Sequence, residues 1–230
     1  VSGGGTNLQA LIDAQTAGIL RSGEIVLVVA SQPTAYALER SKNAGIKGVV
    51  CSKKALGGSQ EAFEAAISEA LQENGIELIV LAGFMSILSE NFTKQWPERI
   101  INVHPALIPS FCGKGFYGLR VHEAALAYGV KVSGATVHFV NEIPDGGEII
   151  LQKPVKIHSG LGLRCADVPG SHPLRRFLYH PAGVLQELFE EPVRWQPALH
   201  SGRSGGDRLG PHRVRLVLQA RVDPQEPLPV

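Results

Sequence analysis

Two different spacings of apolar residues alternate along this chain. Leu8, Leu11, Ile12 and Ala14 recur at three- and four-residue intervals, which gathers them on one face of a helix, and Thr6 or Asn7 stands where a cap is needed. Residues 24–30 form instead an unbroken run, Glu-Ile-Val-Leu-Val-Val-Ala, the mark of a strand buried on both faces. A helix over 35–44 follows and ends at Gly45, where a helix favours glycine just past its last turn. A short strand at 48–51 comes next. An amphipathic helix at 60–72, with Phe63, Ile67 and Leu71 in register, and a second two-faced strand at 77–82 continue the alternation. A short helical crossover leads to a strand at 100–104. Runs at 131–140 and 148–153 read as longer strands on either side of a turn. Strand–helix alternation with two-faced strands predicts an α/β fold, an open, mainly parallel sheet with an antiparallel edge.

The pattern fades near Gly160. Residues 1–160 carry 9 Lys and 4 Arg, residues 161–230 carry 0 Lys and 9 Arg, and prolines divide 6 to 9 across the same boundary. Apart from a short helical stretch around 184–189, the second part reads as irregular. The expected organisation is a folded body at 1–160 and an aberrant or disordered tail at 161–230. A shifted reading frame of a GC-rich gene, or a joined foreign segment, gives such a composition. The start is unusual too: Val1 enters Ser2-Gly3-Gly4-Gly5 directly, a turn that ordinarily follows a strand, so the first strand of the sheet is expected to be missing.

Composition narrows the function. A net charge of +1 argues against a dedicated nucleic-acid binder or a polybasic membrane anchor. No apolar run approaches the ~20 residues of a membrane span, and residues 1–5 lack the features of a signal peptide. Cys51, Cys112 and Cys165 are too few and scattered for a disulfide framework or a zinc site, so no metal and a reducing, cytoplasmic location are expected.

The chemistry concentrates at Asn102-Val103-His104-Pro105, at the end of an apolar run. Residues i and i+2 of a strand share a face, so Asn102 and His104 look into one cleft. Pro105, Pro109 and Gly113 then prevent regular structure and leave the strand end open. An amide donor beside a titratable imidazole suits acyl transfer to an amine: one group for the developing oxyanion, one for the proton. Ser2-Gly3-Gly4-Gly5-Thr6-Asn7 offers backbone N–H groups at the mouth of a helix, a geometry that binds phosphate, although a flexible glycine stretch is the commoner meaning of such a run. Pro144-Asp145-Gly146 is first of all a turn signal. His138, inside an apolar strand, reads as structural, and His122 as decoration of a surface helix.

Ser2 through Asp13, Leu81-Ala82-Gly83-Phe84-Met85-Ser86-Ile87-Leu88, Ile101 through Phe111, and Val137-His138-Phe139-Val140 through Asp145 to Gln152 follow one another in the order of a known family. Over residues 1 to about 160 the chain resembles the glycinamide ribonucleotide (phosphoribosylglycinamide) formyltransferases. The Asn-x-His-Pro block is shared with methionyl-tRNA formyltransferases and formyltetrahydrofolate deformylases, and the glycine opening points to the ribonucleotide enzymes. The resemblance implies a Rossmann-like domain that transfers a formyl group from 10-formyltetrahydrofolate to the amine of 5-phosphoribosylglycinamide, in purine (IMP) synthesis, without a metal. It implies Asn102, His104 and Asp145 as catalytic residues, and Gly5, Thr6 and Asn7 as the substrate-phosphate loop. Met85, Ser86, Ile87 and Leu88, with Asn102, then form the folate-binding segment. Asp145 is expected to favour a charged His104. Some relatives carry Arg at the positions of Ser86 and Gln60. The alternatives are a deformylase, with water in place of the amine, and a non-catalytic truncated remnant.

Overall fold

The computed structural model describes residues 5–21, 23–82 and 87–157, and the backbone of 214–220. In chain order the elements are α1 (Thr6–Thr16), β1 (Gly23–Ala30), α2 (Tyr36–Asn43), β2 (Lys47–Val50), α3 (Gln60–Glu73), β3 (Leu78–Leu81), α4 (Glu90–Thr93), β4 (Ile100–His104), α5 (Leu119–Tyr128), β5 (Val132–Phe139), β6 (Ile149–Lys156) and β7 (Val214–Ala220). The expected alternation therefore holds, with element ends shifted by a few residues at most. The seven strands form one sheet in the order β2-β1-β7-β3-β4-β5-β6. Strands from β2 to β4 pair in parallel, whereas β5 and β6 pair antiparallel at one edge.

Side-chain alternation divides the core into two layers. Val28, Ala30, Leu78, Val80, Ile101 and Val103 pack on one face with Leu8, Leu11 and Ile12 of α1. Leu27, Val29, Ile79, Leu81 and Ile100 pack on the other with Phe63, Ile67 and Leu71 of α3, and with Phe92 and Trp96. Ile25 and Leu27 share a parity yet lie in different layers, because the register of β1 against β7 shifts between them. Phe63, Ile67 and Leu71 are all essentially inaccessible, and each contributes roughly 1.5–3 kcal/mol by leaving water. Ser59 and Ser89 cap α3 and α4 by accepting from the N–H groups of Ala62 and Phe92. Among the described residues no helix is long and apolar enough to cross a membrane.

Of the tail, one stretch is described. Residues 214–220, Val-Arg-Leu-Val-Leu-Gln-Ala, form a strand, and it lies at the centre of the sheet, between β1 and β3. Aliphatic and β-branched residues favour that conformation. The flanking Arg, His, Pro and Gly residues disguise so short a run. The helical stretch expected around 184–189 lies outside the described residues.

One side chain anchors the irregular segment after β4. Thr136 on β5 is fully buried; its hydroxyl donates to the Ala106 carbonyl at 2.7 Å and accepts from Ile108 N–H at 3.0 Å. The Gln152 amide, on β6, donates to the Ile108 carbonyl at 2.9 Å and to the same hydroxyl at 3.0 Å. Thr136→Val keeps the shape but leaves buried backbone groups without partners, so it is expected to cost about 2–3 kcal/mol in urea unfolding. A loss below ~0.5 kcal/mol would show that the hydroxyl does not hold the loop.

Candidate active site

Asn102 and His104 follow Ile100 on the same face of β4, at its C-terminal end, as their spacing requires. His104 is 3% exposed. Its Nε2 lies 2.8 Å from the carbonyl oxygen of Phe111, a residue held at φ 51 in the loop after β4. Its Nδ1 lies 3.4 Å from Asp145 Oδ2. The loop and the distant turn are joined directly, because Gly113 N–H donates to Asp145 Oδ2 at 2.8 Å.

Asp145 is both turn former and site carboxylate. It sits at φ 56, in a turn closed by Gly146 N–H donating to the Ile143 carbonyl at 2.9 Å. Gly147 presses this turn onto the end of β5: a Cβ there would lie 1.8 Å from the Phe139 carbonyl oxygen. No larger residue fits without moving the turn or the end of β5.

The structure adds a residue that the sequence reading left as structural. His138 is buried opposite Asn102 in the antiparallel register of β4 and β5. Its Nδ1 lies 2.7 Å from the Phe139 carbonyl, and its Nε2 lies 3.1 Å from Asn102 Nδ2 and 3.6 Å from Asp145 Oδ1. Donation of Nδ1–H to that carbonyl leaves Nε2 to meet both the Asn102 amide and the Asp145 carboxylate, so one ring ties the strand pair to the turn. Only the strand register reveals this contact; the sequence spacing carries no sign of it.

Residues 1–163 match the formyl transferase family. That stretch is more than half of the chain. The protein belongs to the formyl transferases. It is 44% identical over 160 residues to the chicken (Gallus gallus) trifunctional purine biosynthetic protein adenosine-3, covering 70% of this chain and 15% of that protein. It is 41% identical over 157 residues to phosphoribosylglycinamide formyltransferase of Haemophilus influenzae, covering 68% of this chain and 71% of the relative. The crystal structure of glycinamide ribonucleotide transformylase 1 from Symbiobacterium toebii superposes with a TM-score of 0.70 at 37% identity, covering 83% of each chain. The chain thus spans only a small part of the trifunctional proteins it matches.

The remaining expected residues of this formyl transferase fall as follows. Gly5, at φ 64, is the N-cap of α1, and no side chain caps the helix. Thr6 and Asn7 lie inside the first turn rather than serving as the cap, so the first N–H groups of α1 have no side-chain acceptor from the cap position. Asn7 Oδ1 and Ser31 Oγ are buried without hydrogen-bond partners among the described residues. Met85 and Ser86 lie outside the described residues. Leu88 packs into the α3 layer, while Ile87 is 66% exposed. The segment is held from α3: Gln60 Nε2 donates to the Ile87 carbonyl at 3.1 Å, and Glu64 accepts from Ser89 N–H at 2.7 Å. Gln60 also accepts from Lys53 Nζ at 2.7 Å. Among the described residues no three His, Cys, Asp or Glu side chains are arranged to hold a metal ion.

Asp145 favours a charged His104, as expected, but burial works against it. Desolvation draws its pKa below the usual imidazole value, against the opposing pull of the Asp145 carboxylate and the Phe111 carbonyl. Burial raises the Asp145 carboxyl, but His138, the Gly113 N–H and His104 outweigh it and hold the pKa below the ordinary carboxylate value. The resting pair is therefore a neutral imidazole beside a carboxylate. His122 is a second correction: it is 7% exposed, not surface decoration, and burial together with His104 pushes it down to about 4.

These shifts set a pH dependence. The unfolded chain protonates its histidines near pH 6.5, whereas folded His122 resists until about pH 4. Stability is complete above pH 6.5 and falls as the pH drops through that window. His104 acts in the same direction, and the Asp145 contribution is lost as the pH falls from the ordinary carboxylate value through its lowered one. Between pH 7 and pH 5 His122 accounts for a loss of about 2 kcal/mol, which His122→Gln is expected to abolish in chemical unfolding curves. Equal pH slopes for the two proteins would contradict a buried neutral ring at 122.

Proposed function

We propose that this chain transfers a formyl group from 10-formyltetrahydrofolate to the amine of 5-phosphoribosylglycinamide, a step of purine (IMP) biosynthesis. The observation that carries the reading is the convergence of Asn102, His104 and Asp145, with His104 Nδ1 3.4 Å from the carboxylate, in a formyl transferase whose relatives bear that activity in their names. The N-terminus of α1, with no side-chain cap and a positive end, suits the substrate phosphate at Gly5, Thr6 and Asn7. Met85, Ser86, Ile87 and Leu88 offer backbone groups to the folate ring. We place the reaction in the cytoplasm, in keeping with three scattered cysteines.

The chemistry follows from the side chains. As the amine nitrogen bonds to the formyl carbon, the carbonyl oxygen gains negative charge and the amine becomes acidic. Asn102, its amide oriented by His138, donates a hydrogen bond to that oxygen. His104, neutral at rest, accepts the amine proton, and Asp145 balances the imidazolium that results. When the bond between the formyl carbon and the folate nitrogen breaks, His104 returns the proton to that nitrogen. One C–N bond forms, one breaks, and one proton is relayed.

A steady-state assay with both substrates tests the reading. His104→Ala is expected to lower kcat/KM by about 10²–10⁴-fold, the usual worth of a positioned acid–base group. Asp145→Asn, which leaves the imidazolium unbalanced, is expected to act mainly on kcat. Formyl release that does not depend on the ribonucleotide, or full activity in His104→Ala, would overturn the assignment.

A further inference from the structure

Glu64 shares the buried face of α3 with Phe63, Ile67 and Leu71, and it is 8% exposed. A carboxylate among apolar side chains is costly unless donors meet its oxygens. Both oxygens are met. Oε1 accepts from Ser89 N–H at 2.7 Å and from Gln60 Nε2 at 2.6 Å, and Oε2 accepts from the Ser89 hydroxyl at 2.5 Å. The same hydroxyl accepts from Phe92 N–H at 3.2 Å, so the carboxylate also steadies the cap of α4. Gln60 carries the hold one step further. Its amide nitrogen gives its second hydrogen to the Ile87 carbonyl at 3.1 Å, and its amide oxygen accepts from Lys53 Nζ at 2.7 Å. Glu64 on one side and Lys53 on the other thus fix which way the amide points.

The Ile87 side chain is largely exposed and gives no anchor, whereas Leu88 is buried in the α3 layer. The stretch from Ile87 to Ser89 is therefore pinned through the carbonyl at 87, the side chain at 88, and the N–H and hydroxyl at 89. The first and last of these depend on Glu64. We infer that Glu64 is a positioning residue for the folate co-substrate, holding Ile87–Ser89 on α3 in the shape that presents the Ile87–Leu88 backbone to the ring. The inference rests on the formyl-transfer reading, which assigns that stretch to the folate, and adds to it a residue on a separate helix. The ribonucleotide phosphate is placed at the N-terminus of α1, which makes none of these hydrogen bonds. The influence of Glu64 therefore falls on one substrate and not on the other.

Titration calorimetry on the full chain, with 10-formyltetrahydrofolate and 5-phosphoribosylglycinamide in separate runs, tests this. Glu64→Ala is expected to weaken folate binding about tenfold, as when about one molecule in ten holds the stretch ready, and to leave the ribonucleotide Kd within about twofold. Ser59→Ala removes the cap of the same helix but none of these hydrogen bonds, so it is expected to leave the ratio of the two affinities unchanged. Glu64→Gln keeps the shape but sets an amide NH2 against the donors. It is expected to act in the same direction by a smaller factor, and it decides the matter should Glu64→Ala not fold. An unchanged folate Kd in the folded variants would overturn the inference, as would equal weakening of both ligands. No folate binding by the unaltered protein would overturn the formyl-transfer reading as well. Folate binding that ignores Glu64 leaves that reading standing and removes only this inference.

Discussion

A carboxylate with little contact to water has to be satisfied by the protein, and much of the site is arranged around that demand. Asp145 is 13% exposed at its side chain; it accepts from Gly113 N–H and has the rings of His104 and His138 at 3.4 and 3.6 Å, ready to balance it when protonated. Each partner comes from a different place: the loop after β4, the end of β4, and β5. Supplying Gly113 requires the loop to fold back over the strand end, which Thr136 and Gln152 secure through Ala106 and Ile108. Supplying the carboxylate requires the turn at Asp145 to press against Phe139, which Gly147 allows. Removing any one of these supports leaves a buried charge short of a partner, a larger loss than one hydrogen bond suggests.

Much of this was legible before any coordinates. The alternation of two-faced strands and amphipathic helices gave the parallel sheet with its antiparallel edge because burial on both faces imposes an apolar run that polar residues rarely imitate. Asn102 and His104 share a face because strand geometry has a period of two. The resemblance, not the spacing, joined Asp145 to them, since no local rule links a turn to a strand so far upstream. What escaped was long-range. His138 enters the site only through the pairing of β5 with β4, and its apolar neighbours made it look like core. β7 escaped because a seven-residue strand among Arg, Pro and Gly has too little local pattern to stand out, and only the slot between β1 and β3 gives it a place.

Electrostatic sign was the other thing sequence could not supply. A carboxylate beside an imidazole ordinarily raises the imidazole pKa, and that rule led to a charged His104. The rule assumes comparable exposure in both states. At 3% exposure the desolvation of the ring outweighs the attraction. The extent of burial depends on how the loop from Pro105 to Gly118 covers the end of β4, a tertiary quantity that residue identity alone does not fix.

The resulting balance suits a proton relay better than the charged ring would. An imidazolium at rest can polarise the formyl oxygen, but it has no lone pair for the amine proton, which must then leave to water. In the proposed transfer a neutral ring would take that proton while negative charge builds on the formyl oxygen, with the carboxylate of Asp145 in place to balance it. On that proposal, charging the ring would be disfavoured by burial before the reaction and favoured as the tetrahedral intermediate forms. Interaction that is stronger in the transition state than in the ground state is what accelerates a reaction. In the proposed reaction burial of His104 would supply the first condition and the Asp145 carboxylate, 3.4 Å away, the second.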